Sequence, residues 1–237
     1  MEGNFRLDQG KRKTVDEELV ALHRLLRRME ANDAPLALHS MRVAALATEL
    51  AAFAGVSEWE MRRVYFGALL HDVGKLAIAG EILEKPGRLT QSEYLEIQSH
   101  PVIGARMVAA EPNLHVYEDI VRHHHERPDG TGYPDSLTAN EIQFEVRMVS
   151  IADAFDAMTS TRAYRPALSA IEAIHELQAG VGTQFDATLV ALFARRLQAR
   201  NTSPCHLTYG VGLQSLPLLS EIPPLATVTE GHSRFPQ

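Results

Sequence analysis

Apolar residues recur along most of this chain at the spacing of one helix face and hardly anywhere alternate as a strand requires. Leu19, Leu22, Leu25 and Leu26 predict an amphipathic helix over 14–30, and Asn32-Asp33-Ala34-Pro35 breaks it. A second helix is expected over about 36–53, with Val43, Leu46, Ala47 and Leu50 as its apolar stripe and Gly55 as its stop. His39 lies one turn before Val43 and faces the same way. Ser57 followed by Glu60 is a capping-box signature for a third helix. That helix runs through Ala68-Leu69-Leu70 to about Gly74 and carries His71 and Asp72 in its last turn. Thr90 with Glu93 opens another helix, and Ser99-His100-Pro101 opens the next, with Pro101 in the favoured first turn. Further helices are expected over 114–125, 140–158, 169–179 and 186–198. The pattern predicts an all-α fold without internal repeats, preceded by a loose arm over 1–13.

Composition narrows this picture. Of 237 residues, 45% are hydrophobic but only 6% aromatic, which favours helix packing built on Ala and Leu over a β-sandwich. The net charge of −7 argues against a binder of nucleic-acid polymers, though a local cluster of cations can still attract a small anionic ligand. Cys205 is the only cysteine, so an intramolecular disulfide and a thiolate metal site are both excluded. No stretch approaches the roughly 18 apolar residues of a membrane span, and residues 1–13 lack the apolar core of a signal peptide. A cytoplasmic protein without a membrane segment is the resulting expectation. After residue 201 charges nearly vanish, which predicts an extended tail over 201–237. The expected organisation is an N-terminal arm and helix (1–35), a catalytic domain (36–200) and that tail.

Seven residues stand out as ligand candidates: His39, His71, Asp72, His100, His124, His125 and Asp153. Each alone has an ordinary reading, as a core histidine, a helix-end cap or a solvated polar residue. Together they would be five independent accidents. Imidazoles and carboxylates without sulfur suit iron, manganese or zinc in a catalytic site. Seven ligands exceed one ion's needs and suit two ions, roughly 3.5–4 Å apart in known two-metal sites. Such a pair activates water and clamps phosphoryl oxygens, so phosphodiester hydrolysis is the natural chemistry. Asp156, one turn beyond Asp153, is placed to orient water or accept a proton.

An ordered series of motifs over about 36–195 resembles the HD-GYP family of the HD phosphohydrolase superfamily. It comprises His39-Ser40-Met41-Arg42-Val43, Leu69-Leu70-His71-Asp72-Val73-Gly74-Lys75, Ile82-Leu83-Glu84-Lys85-Pro86-Gly87-Arg88-Leu89-Thr90 and His100-Pro101-Val102-Ile103-Gly104. It continues with His124-His125-Glu126-Arg127-Pro128-Asp129-Gly130-Thr131-Gly132-Tyr133-Pro134, then Ile151-Ala152-Asp153-Ala154-Phe155-Asp156-Ala157-Met158-Thr159-Ser160 and Arg162-Ala163-Tyr164-Arg165.

The resemblance implies a helical bundle with a metal centre in its core. In it, His39, His71, Asp72 and Asp153 hold one ion, and Asp72 bridges to a second held by His100, His124 and His125. It implies a metal-dependent phosphodiesterase in which a metal-bridging hydroxide opens cyclic di-GMP to pGpG, with GMP as a further product. Lys75 resembles the family lysine at the scissile phosphate, and Tyr133, Arg162 and Arg165 resemble ligand-contacting positions. Two divalent ions are implied, iron or manganese first, with zinc and nickel left open. Where some members place a third-metal glutamate, Pro35 stands here.

The glycines of Gly130-Thr131-Gly132-Tyr133-Pro134 suggest a tight path with φ > 0. In the family that loop is implicated in binding GGDEF-type diguanylate cyclases. The residues leave two alternatives open: a signalling adaptor that binds cyclic di-GMP or a GGDEF-type cyclase with little turnover, and an HD phosphohydrolase of another nucleotide. Among partners, a second copy of the chain in a homodimer is also left open.

Overall fold

The computed structural model describes residues 9–161 and 166–201. They form ten α-helices: α1 (Gln9–Asn32), α2 (Ala34–Ala54), α3 (Glu58–Leu70), α4 (Gly80–Leu83), α5 (Gln91–Gln98), α6 (His100–Ala109), α7 (Glu118–His123), α8 (Phe144–Thr159), α9 (Ala170–Ala179) and α10 (Ala187–Asn201). Short 3₁₀ helices cover Val73–Ala77 and His115–Tyr117. Among the described residues the only β features are two isolated bridges. The all-α expectation holds.

α2 is the axis of the bundle. It packs along α3 and α8 and also touches α1 and α10. Asp33 caps its start, its carboxylate accepting the Leu36 N–H at 2.9 Å, while Pro35 occupies the first turn. Gly55 ends it in the left-handed region at φ 74°. Contrary to the sequence expectation, α2 is long and apolar enough to cross a membrane by length and composition. Its apolar character has a local explanation: Val43, Ala44, Ala47, Leu50 and Ala51 are fully buried against neighbouring helices.

Several boundaries differ from expectation. α1 begins at Gln9, before the expected start at 14. α3 stops at Leu70, so His71 and Asp72 lie in a turn rather than in helix. Gly74 explains the stop: a Cβ there would stand 2.0 Å from the His100 carbonyl and 2.6 Å from the Gly104 nitrogen. The backbone of 71–75 therefore presses directly on α6, which a continuing helix with side chains could not do. The expected helix over 114–125 is a 3₁₀ turn followed by the short α7, and His124 and His125 lie beyond it. The expected helix over 140–158 starts only at Phe144. Thr138 N–H and hydroxyl donate to Glu141 at 2.8 and 2.6 Å, closing one turn that ends at extended Gln143.

A buried triad pins α1 to the bundle. Arg62 donates to Glu18 at 2.9 Å, and the Tyr117 hydroxyl donates to the same carboxylate. No sequence motif announced it.

Candidate metal centre

Five segments carry the seven candidates to one place. α2 supplies His39, the turn after α3 supplies His71 and Asp72, the first residue of α6 is His100, and α8 supplies Asp153. His124 and His125 follow α7. His71, Asp72, His100 and His124 are at most 1% exposed.

Their ligand atoms form two groups. One nitrogen or oxygen each from Asp72, His100, His124 and His125 lie within 4.8 Å of one another, as do those of His39, His71 and Asp153. Asp72 joins the groups. Its Oδ1 lies 3.1 Å from His100 Nε2 and 3.9 Å from His124 Nε2. Its Oδ2 lies 3.3 Å from His71 Nε2 and 3.7 Å from His39 Nε2. Asp153 Oδ1 completes the second group, 3.1 Å from His39 Nε2 and 3.9 Å from His71 Nε2.

The rings are held so that Nε2 faces inward. The Nδ1–H groups of His71, His100 and His124 donate to the carbonyls of Ala68, Ile97 and Val121 at 2.7, 2.6 and 2.8 Å. Each acceptor lies three residues back. This fixes the tautomer and leaves the Nε2 lone pair toward the interior. His39 differs, since its Nδ1 faces Asp156 Oδ2 at 2.7 Å.

The residues fit divalent cations. His71 Nε2 and Asp72 Oδ1 are buried and complete no hydrogen bond among the described residues. An unsatisfied buried polar atom costs about 1–3 kcal/mol, which a cation accepting both lone pairs would recover. Electrostatics agree. Burial, reinforced by the neighbouring imidazoles, holds His124 well below the usual histidine range. Burial lowers His125 to about 4. Both imidazoles are therefore neutral at pH 7, the form in which a histidine can accept a cation. Burial alone would raise the Asp72 carboxyl, but the Lys75 ammonium and His71 hold it well below its ordinary value. Burial opposes ionisation of Asp153 too, but the hydrogen bond from His39 together with the charges of His71 and His39 holds its carboxyl well below the ordinary value. His39 moves the other way. Burial would lower it, but hydrogen bonds to Asp153 and Asp156 raise it to about 9. A proton and a cation compete there for one lone pair.

Lys75 stands at the rim, its Nζ donating to Asp72 Oδ2 at 2.6 Å. Tyr133 stacks on His125 with ring centroids 4.8 Å apart and planes 29° apart, so one of its faces is already occupied. Arg162 and Arg165 lie outside the described residues. Asp156, expected to orient water or accept a proton, is engaged by other side chains. Arg42 donates to both its oxygens, at 2.6 and 2.9 Å, and His39 occupies Oδ2 as well.

The loop after His125 folds back over it. Gly130 has φ 75°, as expected, but Gly132 is not among the positive-φ glycines. Its requirement is space: a Cβ would meet Arg127 N at 2.4 Å and Glu126 Cα at 2.5 Å. Glu126, buried at 2% exposure, accepts the N–H groups of Asp135 and Leu137 at 2.6 and 2.9 Å and anchors the loop. Sequence reasoning missed Glu126 and Arg42. Arg42 could have been found, because it lies one turn from His39 as Asp156 does from Asp153.

Comparison with known proteins identifies the family. A family model described as HD domain matches residues 15–189. The "Cyclic di-GMP phosphodiesterase response regulator RpfG" of Xanthomonas campestris pv. campestris is 38% identical over 196 residues, 81% of this chain and 52% of that protein. The "3'3'-cGAMP-specific phosphodiesterase 2" of Vibrio cholerae is 35% identical over 182 residues, 76% of this chain and 34% of that protein. The chain thus spans between about a third and a half of these relatives. Among solved structures, Bd1817, a HDG"Y"P protein from Bdellovibrio bacteriovorus, superposes with a TM-score of 0.58 at 21% identity, covering 69% of this chain and 52% of that one. That likeness concerns the fold.

Proposed function

The chain belongs to the HD domain family, in its HD-GYP branch, and on that premise we propose that it is a divalent-metal phosphodiesterase acting on cyclic di-GMP. The observation that carries this reading is the buried Asp72 carboxylate, which turns one oxygen toward each of two ligand groups. Asp72, His100, His124 and His125 would hold one cation. His39, His71 and Asp153 would hold the other, with Asp72 shared. Two divalent ions so placed, iron or manganese in our assignment, make water more acidic and stabilise charge on phosphoryl oxygens.

The chain's own groups do the rest. Lys75 sets an ammonium at the rim of the centre, where it opposes negative charge growing on a bound phosphoryl group. Tyr133 shields His125 and offers its remaining surface to a base. Arg162 and Arg165 are assigned to phosphate or base contacts. In the overall reaction water adds to phosphorus, the bond to the 3′ oxygen breaks, that oxygen gains a proton, and pGpG is released. A second cut yields GMP. The Gly130-Thr131-Gly132-Tyr133-Pro134 stretch of the loop over His125 is the surface we assign to a GGDEF-type cyclase.

A second substrate has a specific observation behind it, the relative named for 3'3'-cGAMP at 35% identity. One experiment addresses both. Protein purified without oxygen is analysed for metals, then given cyclic di-GMP and 3'3'-cGAMP in parallel with products resolved by chromatography. About two ions per chain and linear products are expected, with cyclic di-GMP turned over faster. Asp72→Ala should lose both metal and turnover, and turnover retained in that variant would refute the reading. Binding without turnover by the metal-loaded protein would leave an adaptor.

A further inference from the structure

Two pairs of residues, each one helical turn apart, face each other across α2 and α8. On α2 they are His39 and Arg42, and on α8 they are Asp153 and Asp156. The two carboxylates hold the imidazole between them: Asp153 Oδ1 is 3.1 Å from Nε2, and Asp156 Oδ2 is 2.7 Å from Nδ1. Asp156 is itself gripped by the Arg42 guanidinium at 2.6 and 2.9 Å. His71, His100 and His124 are instead oriented by neutral backbone carbonyls.

We propose that Arg42 and Asp156 are a positioning pair that sets the cation affinity of the His39–His71–Asp153 group separately from that of its neighbour. The inference rests on the two-ion reading above. A carboxylate behind an imidazole fixes its tautomer and strengthens it as a donor more than a carbonyl does. Arg42 fixes the carboxylate by a bidentate, charge-assisted pair. The contacts of Asp156 run to His39, Arg42 and Ser160, and none runs to Asp72, His100, His124 or His125. Its influence is therefore confined to one of the two positions. It makes no contact that would place it among the reacting atoms.

The test is titration of metal-stripped protein with manganese(II) by calorimetry, alongside electron paramagnetic resonance of the coupled pair. Wild type, Asp156→Asn and Arg42→Gln are compared. Asp156→Asn keeps the volume but removes the charge, and it puts an NH2 donor in place of Oδ1 or Oδ2, facing a donor of Arg42 or of His39 that a carboxylate oxygen now accepts. We expect it to bind one ion with wild-type affinity and the other at least tenfold more weakly, with loss of the spin-coupled signal at two equivalents. Arg42→Gln is expected to weaken the same ion by a smaller factor. Two ions bound with unchanged affinity in both variants would overturn the proposal. So would equal weakening of both ions, which would assign the pair a merely structural part. Should wild type itself bind fewer than two ions, the two-ion reading fails first.

Discussion

Tyr133 illustrates how one side chain near the centre can serve packing and recognition together. Its ring lies flat on His125, and burial, with Tyr94 and the Asp72 and Asp153 charges adding to it, pushes its phenol well above the usual tyrosine range. The hydroxyl therefore stays protonated at any working pH. Tyr133→Phe retains the stacked ring and is expected to bind manganese(II) as wild type does. Tyr133→Ala uncovers a face of His125 and is expected to weaken the ion of that group by about tenfold, the lower end of losses seen when supporting contacts around a ligand are removed. Calorimetric titration of the two variants checks this, and equal affinities in both would exclude the stacking role. The seven clustered residues were legible in the sequence because imidazoles and carboxylates ending apolar runs have little reason to be buried unless something binds them. The partners of Asp156 were not legible, because spacing says which residues share a helix face but not which partner arrives from another helix. Arg42 comes from α2, 114 residues away, and its pairing with Asp156 is a tertiary fact.

Helix ends, more than helix middles, decide where the ligands stand. α3 gives way after Leu70, and the turn carrying His71 and Asp72 reaches α6 only because Gly74 and Gly104 let two backbones touch. Gly74→Ala is expected to cost about 1–3 kcal/mol, as overpacking does, and to displace His100 from Asp72. A lowered melting temperature together with reduced metal content would bear this out, and a normal metal content would count against it. The periodicity of apolar residues marked the helices but not this contact, since a glycine leaves no trace in a hydrophobic pattern. The same spacing of cap residues does not always open a helix. Ser57 with Glu60 and Thr90 with Glu93 both form reciprocal capping boxes. Thr138 with Glu141 makes similar bonds around one isolated turn, because Gln143 then turns extended.

α5 depends on its cap, for none of its residues is buried. Glu93 closes that cap and pairs with Lys85 at 2.7 and 2.8 Å. The hydrogen bond from Lys85 leads the causes that lower its carboxyl from 4.5 to about 2. A depressed folded value means that this contribution is complete above pH 4.5 and fades as pH falls toward 2. At pH 4 the Glu93 side-chain carbon resonance should still report an ionised group, and Glu93→Gln should make the order of α5 independent of pH over that window. A midpoint near 4.5 would show that the Lys85 pairing does not persist in solution.

At the scale of the whole molecule, the bundle places its most polar cluster where its helices converge. His71, Asp72, His100 and His124 are essentially inaccessible, and at least two of their buried atoms make no hydrogen bond among the described residues. A fold arranged this way should be less stable stripped of cations than loaded with them, because the ligand groups converge only in the native state. Binding at a hundred times the dissociation constant adds about 2.7 kcal/mol per ion to the folded state. For a chain of this size each kcal/mol moves the melting temperature by about 2–4 °C. One ion is then worth roughly 5–11 °C and two roughly twice that, if the sites act independently. Chelation should lower the melting temperature of wild type by that order, and manganese(II) should restore it. Asp72→Ala, which removes the carboxylate shared by both groups, should melt at one temperature whether or not the ion is present. An Asp72→Ala protein that still gained the full wild-type shift would mean that cations stabilise this bundle somewhere other than between α2, α6 and α8.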